Sequence, residues 1–179
     1  MPQSTAKQDA EPPLPTTPDD LFACLHALDI SYSLYHHEPF FTVEEGRDFE
    51  KDIPGTHCRN LFLKDKKDSM FLLTLANETA VDLKQLPALF GAKRLSFGSP
   101  ERLWRHLGIR PGSVCPFTIM NDATHAVDMI LDAAMMRADL VNFHPLDNSM
   151  TVGMTPADLL RFIESRGRSA RVLDFSLAG

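Results

Sequence analysis

With 179 residues, 44% of them hydrophobic and 23% charged, the chain can bury one core of ordinary domain size. A formal net charge of −6 argues against a general nucleic-acid coat, which relies on many Lys and Arg contacts to phosphate, although a local basic patch stays open. The longest apolar runs fall far short of the ~20 residues of a membrane span, and no secretory signal is seen. Cys24, Cys58 and Cys115 are too dispersed for a disulfide framework or a Cys-x-x-Cys metal site, so a reducing, cytoplasmic location is expected.

Residues 1–17, with Pro12, Pro13 and Pro15 clustered, are expected to form a disordered arm, and 18–177 a single domain. Thr17 is placed to cap a helix with Pro18 at its first position and Leu21, Phe22, Leu25 and Leu28 on its apolar stripe. Residues 30–36 alternate as a strand. His36 and His37 invite a metal reading, but neighbours on a strand point to opposite faces and do not chelate one ion without a bend. Phe40 and Phe41 follow Pro39 and are expected to cover the core or a pocket. Thr42-Val43-Glu44-Glu45 then opens a capped helix reaching about Lys51.

The chain is organised around His57–Lys64 and Met70–Leu75, two apolar runs with a polar break at 66–69, read as a β-hairpin. Beyond it, Thr79-Ala80-Val81-Asp82 is expected as a short strand, with Asp82 capping a helix over 83–90 that stops at Gly91. Ser99 and Pro100 open another helix, ended by Gly108. Phe117–Met120 reads as a strand, 121–125 as a hairpin loop and Val127–Asp132 as the return strand. A helical turn over 133–137, a strand over 140–144, a second at 150–153, a helix opened by Thr155-Pro156 and a strand over 171–175 complete the chain. At least six strands and four helices without βαβ alternation predict an α+β domain with a mixed sheet.

Three places carry residues that a purely structural reading does not require. Arg59 and Asn60 sit at the head of the first hairpin strand. Alternation puts Arg59, Leu61 and Leu63 on one face and Asn60, Phe62 and Lys64 on the other. One basic residue can therefore face a pocket, or both Arg59 and Lys64 are solvated charges. The turn Gly112-Ser113-Val114-Cys115-Pro116 either presents backbone N–H groups to an anion or oxyanion, or simply connects a helix to a strand. His144, before Pro145, is either a proton-handling group near neutral pH or a structural donor to a carbonyl. No Gly-x-Ser-x-Gly elbow, P-loop or zincin helix is present.

Taken together, Val43-Glu44-Glu45-Gly46, Arg59-Asn60-Leu61-Phe62-Leu63-Lys64-Asp65-Lys66-Lys67, Leu95-Ser96-Phe97-Gly98, Gly112–Phe117, Asn121-Asp122 and Val141–Leu146 occur in an order that resembles the YbaK and tRNA-synthetase-associated domain family. The resemblance spans roughly residues 18–176 and is strongest to freestanding aminoacyl-tRNA deacylases related to the editing insertion of bacterial prolyl-tRNA synthetase. It implies an α+β domain whose mixed, curved sheet encloses a small pocket. It also implies hydrolysis of a mischarged aminoacyl-tRNA, with alanine on tRNA(Pro) the expected substrate because a proline pocket excludes a smaller ligand poorly.

On that resemblance, Arg59 occupies a slot usually filled by Lys and would hold the terminal adenosine; the planar fork is not equivalent to an ammonium. Gly112 and Pro116 match the ends of a Gly-x-x-x-Pro loop, and Gly112, Ser113 and Val114 would offer backbone donors to the ester. His144 and Asn60 would orient the reacting groups, Lys64 matches the motif's second basic residue, and Phe40, Leu61 and Phe117 would set the size limit. Lys93 and Arg94 are candidates to touch the acceptor stem, or are solvated charges. No metal or organic cofactor is implied. The implied partners are the acceptor end of a mischarged tRNA and prolyl-tRNA synthetase, with no DNA and no membrane. Two rival expectations are the same fold acting on another small amino acid and a non-catalytic module that binds tRNA or a synthetase.

Overall fold

A computed structural model describes residues 11–178. The helices are α1 (Pro18–Ala27), α2 (Val43–Glu50), α3 (Leu86–Phe90), α4 (Pro100–Leu107), α5 (Ala133–Met136) and α6 (Pro156–Ser165). The strands are β1 (Ser33–His36), β2 (Thr56–Lys64), β3 (Met70–Ala76), β4 (Ser96–Phe97), β5 (Val127–Asp132), β6 (Val141–Phe143), β7 (Met150–Met154) and β8 (Ala170–Leu173). Helix starts follow their caps: Thr17 and Thr42 form complete capping boxes with Asp20 and Glu45, and Ser99 and Thr155 each accept a backbone N–H in the first turn.

All eight strands join one mixed, curved sheet in the order β1-β7-β6-β2-β3-β5-β8, with β4 on β2. The α+β architecture is therefore the one the sequence predicts. β2 and β3 form the predicted antiparallel hairpin, with Asn60 opposite Thr74 and Lys64 opposite Met70. β2 is the hub because its other edge is shared. β6 pairs parallel with its first residues, Thr56 and His57, whereas β4 pairs antiparallel with its last, Leu63 and Lys64. Among the described residues no strand lies on the edge of β2 between those two partners. The sheet buries both faces: Phe62, Leu72, Met129 and Leu131 enter the larger core under α1, α4 and α6, and Leu63, Leu73, Leu75 and Ile130 enter a smaller one with Leu86 and Phe90.

Four expectations change. Residues 116–121 form a 3₁₀ helix and not a strand: Pro116 opens it, and the N–H groups of Thr118 and Asp122 bond the carbonyls three residues earlier. Residues 121–125 are accordingly no hairpin loop, and β5 runs parallel to both β3 and β8. The Asp122 carboxylate shapes the connection by accepting the N–H groups of Ala126 and Val127 and pairing with Arg168 at 2.7 Å. No strand forms at 79–82, because Thr79 gives its carbonyl to Arg59 and its hydroxyl to Asp132. Asp82 bonds the N–H of Lys84 in a turn, and the helix starts later, at Leu86.

Residues 1–10 of the expected arm lie outside the described residues. The stretch 11–17 lies against the domain. Leu14 packs on the core, Thr16 donates to the Asn121 side chain, and Arg110 pairs with Glu11 at 2.9 Å while lying over Trp104. Among the described residues no helix is long and apolar enough to cross a membrane.

Candidate active site

The unpaired stretch of β2 opens onto a cavity of about 190 Å³. Its floor is Cys58, Arg59 and Asn60, its roof is the segment Phe40–Val43 with Glu50 of α2, and its walls are Asn77, Gly112, Val114 and His144. β2 alternation explains the floor. Thr56 donates and Phe62 accepts on the outer edge, whereas His57 accepts on the β3 side. Asn60 shares the parity of Thr56 and Phe62, so its backbone N–H and C=O point away from β3 into the gap. Its side-chain oxygen is fixed by the hydroxyl of buried Thr74 at 2.7 Å.

His144 follows β6 and is held by one ring nitrogen. Nδ1 lies 2.9 Å from the Met150 carbonyl, an acceptor, so Nδ1 carries the proton and Nε2 is left with a lone pair. Burial pushes the His144 pKa below its ordinary value, with proximity of His37 adding to the effect, and the bond to Met150 opposes it. The imidazole is therefore neutral at pH 7. Phe40 packs against it with ring centroids 5.0 Å apart, and His37 stacks on Phe40 at 4.9 Å. His37 is itself occupied, with Nδ1 on the Glu38 carbonyl and Nε2 on the Thr151 hydroxyl.

The glycine loop is shaped for close approach. Gly112 has φ +93°, and a Cβ there would stand 2.7 Å from Cδ1 of Phe41, which lies across the loop. The N–H of Ser113 turns inward to the Arg110 carbonyl and is not a free donor. Among the described residues the Gly112 and Val114 N–H groups have no such partner, and both residues line the cavity.

Arg59 borders the cavity, but much of its guanidinium is committed. Nη1 donates to the carbonyls of Ala76 and Asn77 at 2.8 and 2.9 Å, and Nη2 to that of Thr79 at 2.6 Å. Asp132, almost fully buried, completes the clamp by accepting the Ala76 N–H and the Thr79 hydroxyl. Three of five guanidinium donors are thereby used, leaving Nε–H and one Nη2–H.

Several expected contributors lie elsewhere. Leu61 packs into the smaller core, and Phe117 is fully buried edge-on to Phe143 and Phe162. Pro116 is buried as the first residue of the 3₁₀ helix. Lys64 stands at the far end of β2, 3.4 Å from Asp68, and Lys93 and Arg94 are exposed beyond α3. Phe41, expected to cover the core or a pocket, does line the cavity; the sequence did not single out Thr42, Val43, Glu50, Cys58 or Asn77 as cavity residues. A signal for Glu50 existed: it falls on the helical face of Val43 and Gly46, and Gly46 is the point where α2 closes on Phe40.

The family model described as "Aminoacyl-tRNA editing domain" matches residues 37–162. The chain is 33% identical to "Prolyl-tRNA editing protein ProX" of Acetoanaerobium sticklandii over 155 residues, 86% of this chain and 94% of that protein. It is 34% identical to "Prolyl-tRNA synthetase associated domain-containing protein 1" of Danio rerio over 153 residues, 84% of this chain and 83% of that one. A crystal structure described provisionally as a trans-editing enzyme for prolyl tRNA synthetase shares the fold, with a TM-score of 0.67 at 18% identity over 88% of this chain and 94% of that one.

Proposed function

Since this chain belongs to the aminoacyl-tRNA editing domain family, we propose that it is a freestanding deacylase that hydrolyses the ester of a mischarged tRNA, with Ala-tRNA(Pro) as preferred substrate. The observation that carries this reading is a neutral, one-side-anchored His144 facing the same small cavity as the Gly112 loop and the open edge of β2. A volume near 190 Å³ suits a short side chain and a water.

In this mechanism water attacks the ester carbonyl carbon. A new C–O bond forms, the bond to the ribose oxygen breaks, and the proton lost by water ends on that oxygen. His144 Nε2 accepts the hydrogen bond of the attacking water or of the neighbouring ribose hydroxyl. The N–H groups of Gly112, Val114 and Asn60 are donors for the developing oxyanion. The two donors left on Arg59 hold the terminal nucleotide, so this Arg both clamps the 76–79 loop and contacts substrate. Phe40 and Val43 limit the side chain that fits. The partners are the acceptor end of tRNA and, as a source of the error, prolyl-tRNA synthetase, in the cytosol.

The test is deacylation of Ala-tRNA(Pro), Pro-tRNA(Pro) and Ser-tRNA by wild type, Arg59→Ala and Arg59→Lys. Rapid loss of alanine alone, abolished in Arg59→Ala, is the expected result. Preferential loss of serine would move the specificity to another small amino acid. If no ester is cleaved above background by wild type or Arg59→Lys, the deacylase reading fails.

A further inference from the structure

Asn77 follows β3 and is fixed at both backbone ends: its N–H donates to the His57 carbonyl at 2.8 Å and its carbonyl accepts from Arg59 at 2.9 Å. Its side-chain Nδ2 reaches Glu50 Oε2 at 3.3 Å. Its Oδ1 is buried, with no hydrogen-bond partner among the described residues. Both residues line the cavity. The Glu50 carboxylate is itself largely enclosed, with 14% of the side chain exposed. The cation nearest to it would be His57, whose Nδ1 lies 3.7 Å away. His57 Nε2, however, faces the Ile53 carbonyl, an acceptor, so in the neutral ring the proton sits there and Nδ1 offers Glu50 only a lone pair. Burial pushes the Glu50 pKa up, and His57, Asn77, His37 and Arg47 only partly offset that.

The cavity lining thus holds, side by side, a carboxylate whose one side-chain donor is the Asn77 amide at 3.3 Å and an amide oxygen with no donor among the described residues. Leaving such groups unmet is costly, and an ammonium group answers both with charge and three N–H donors. We propose that Glu50 and Asn77 form the receptor for the protonated α-amino group of the aminoacyl ester. This rests on the deacylase reading and adds a specificity element to it. The substrate then lies with its ammonium at Glu50 and Asn77, its carbonyl toward Gly112 and Asn60, and its phosphate toward Arg59, so the cavity's charges match the substrate's two ends. The Arg59 clamp acquires a second purpose, since it fixes the backbone from which Asn77 is aimed.

The test exchanges the ammonium for a hydroxyl. Nitrous acid converts Ala-tRNA to lactyl-tRNA, which keeps the ester and the methyl group. Each enzymatic rate is divided by the spontaneous hydrolysis rate of its own ester. Wild type is expected to favour alanyl over lactyl by about 10- to 100-fold, the range of one charge-assisted contact. Glu50→Gln should lower the alanyl rate far more than the lactyl one, so that the alanyl-to-lactyl ratio falls toward one. Equal handling of the two esters by wild type, or an equal loss on both in Glu50→Gln, overturns the proposal.

Binding supplies a readout that needs no turnover. Wild-type protein should bind 3′-alanylamino-adenosine at least about tenfold more tightly than its 3′-lactylamido counterpart. Equal affinities count against the receptor even if Glu50→Gln does not fold. Failure to cleave any ester, with that binding difference intact, would sink the deacylase reading and leave the receptor standing.

Discussion

The two ends of β2 carry similar residues and have different physical roles. At the head, Arg59 is half-buried, bonded to three carbonyls and beside a cavity; at the tail, Lys64 reaches Asp68 across a hairpin loop open to solvent. Both belong to one motif, and residue type alone does not separate them. What separates them is the partner on the strand's second edge. β4 covers the tail, β6 stops after His57, and the residues between are left to line a site. A charge matters here in proportion to how little water reaches it.

The contrast can be broken from either end. The largest stability effect should come from the larger core: Phe117→Ala, removing a fully buried ring set against Phe143 and Phe162, should cost about 3–5 kcal/mol in urea unfolding. Were Phe117 a pocket wall, stability would hardly move and substrate choice would. Next, His144→Ala should lower the single-turnover rate on Ala-tRNA(Pro) by about 10²–10⁴-fold, the range for loss of a positioned acid or base. Arg59→Ala should destabilise the protein by about 2–4 kcal/mol by leaving the carbonyls of Ala76, Asn77 and Thr79 without their charged donor, and Arg59→Lys should recover only part of that. Lys64→Ala, at the tail, should stay within about 0.5 kcal/mol of wild type.

A pH profile sharpens the same contrast. Burial lowers the His144 pKa from its ordinary 6.5, so the unfolded chain takes the proton more readily than the folded one. The neutral ring's contribution to stability is therefore present above pH 6.5 and is lost as pH falls through the lowered folded-state value. Activity should follow, with an acid limb in kcat/KM centred below pH 6.5 that disappears in His144→Ala. A limb centred above that value would mean that the ring is not buried in the working enzyme.

The hairpin and the Ser and Thr caps of α1, α2, α4 and α6 were legible because their signals are local: paired apolar runs around a polar break, and Ser or Thr with Pro or acid in the turn that follows. Residues 117–120 were misread because Phe-Thr-Ile-Met alternates like a strand while Pro116 and two i→i−3 bonds hold it as a 3₁₀ helix. The direction of β5 was hidden because its partners, β3 and β8, are remote in sequence. At the site, Arg59, Asn60, Gly112 and His144 stood out as polar or glycine residues in odd places. Glu50 and Asn77 did not: an acid on a polar helix and an Asn in a turn look ordinary until the fold buries them.

The central claim is that ester hydrolysis belongs to the cavity at the head of β2. The most direct measurement is a single-turnover time course on Ala-tRNA(Pro) with wild type, His144→Ala and Lys64→Ala, each checked for folding. The account predicts rapid deacylation by wild type, a loss of at least about 100-fold in His144→Ala, and a rate within about threefold of wild type in Lys64→Ala. Equal losses at the two positions, or full activity in His144→Ala, would contradict it.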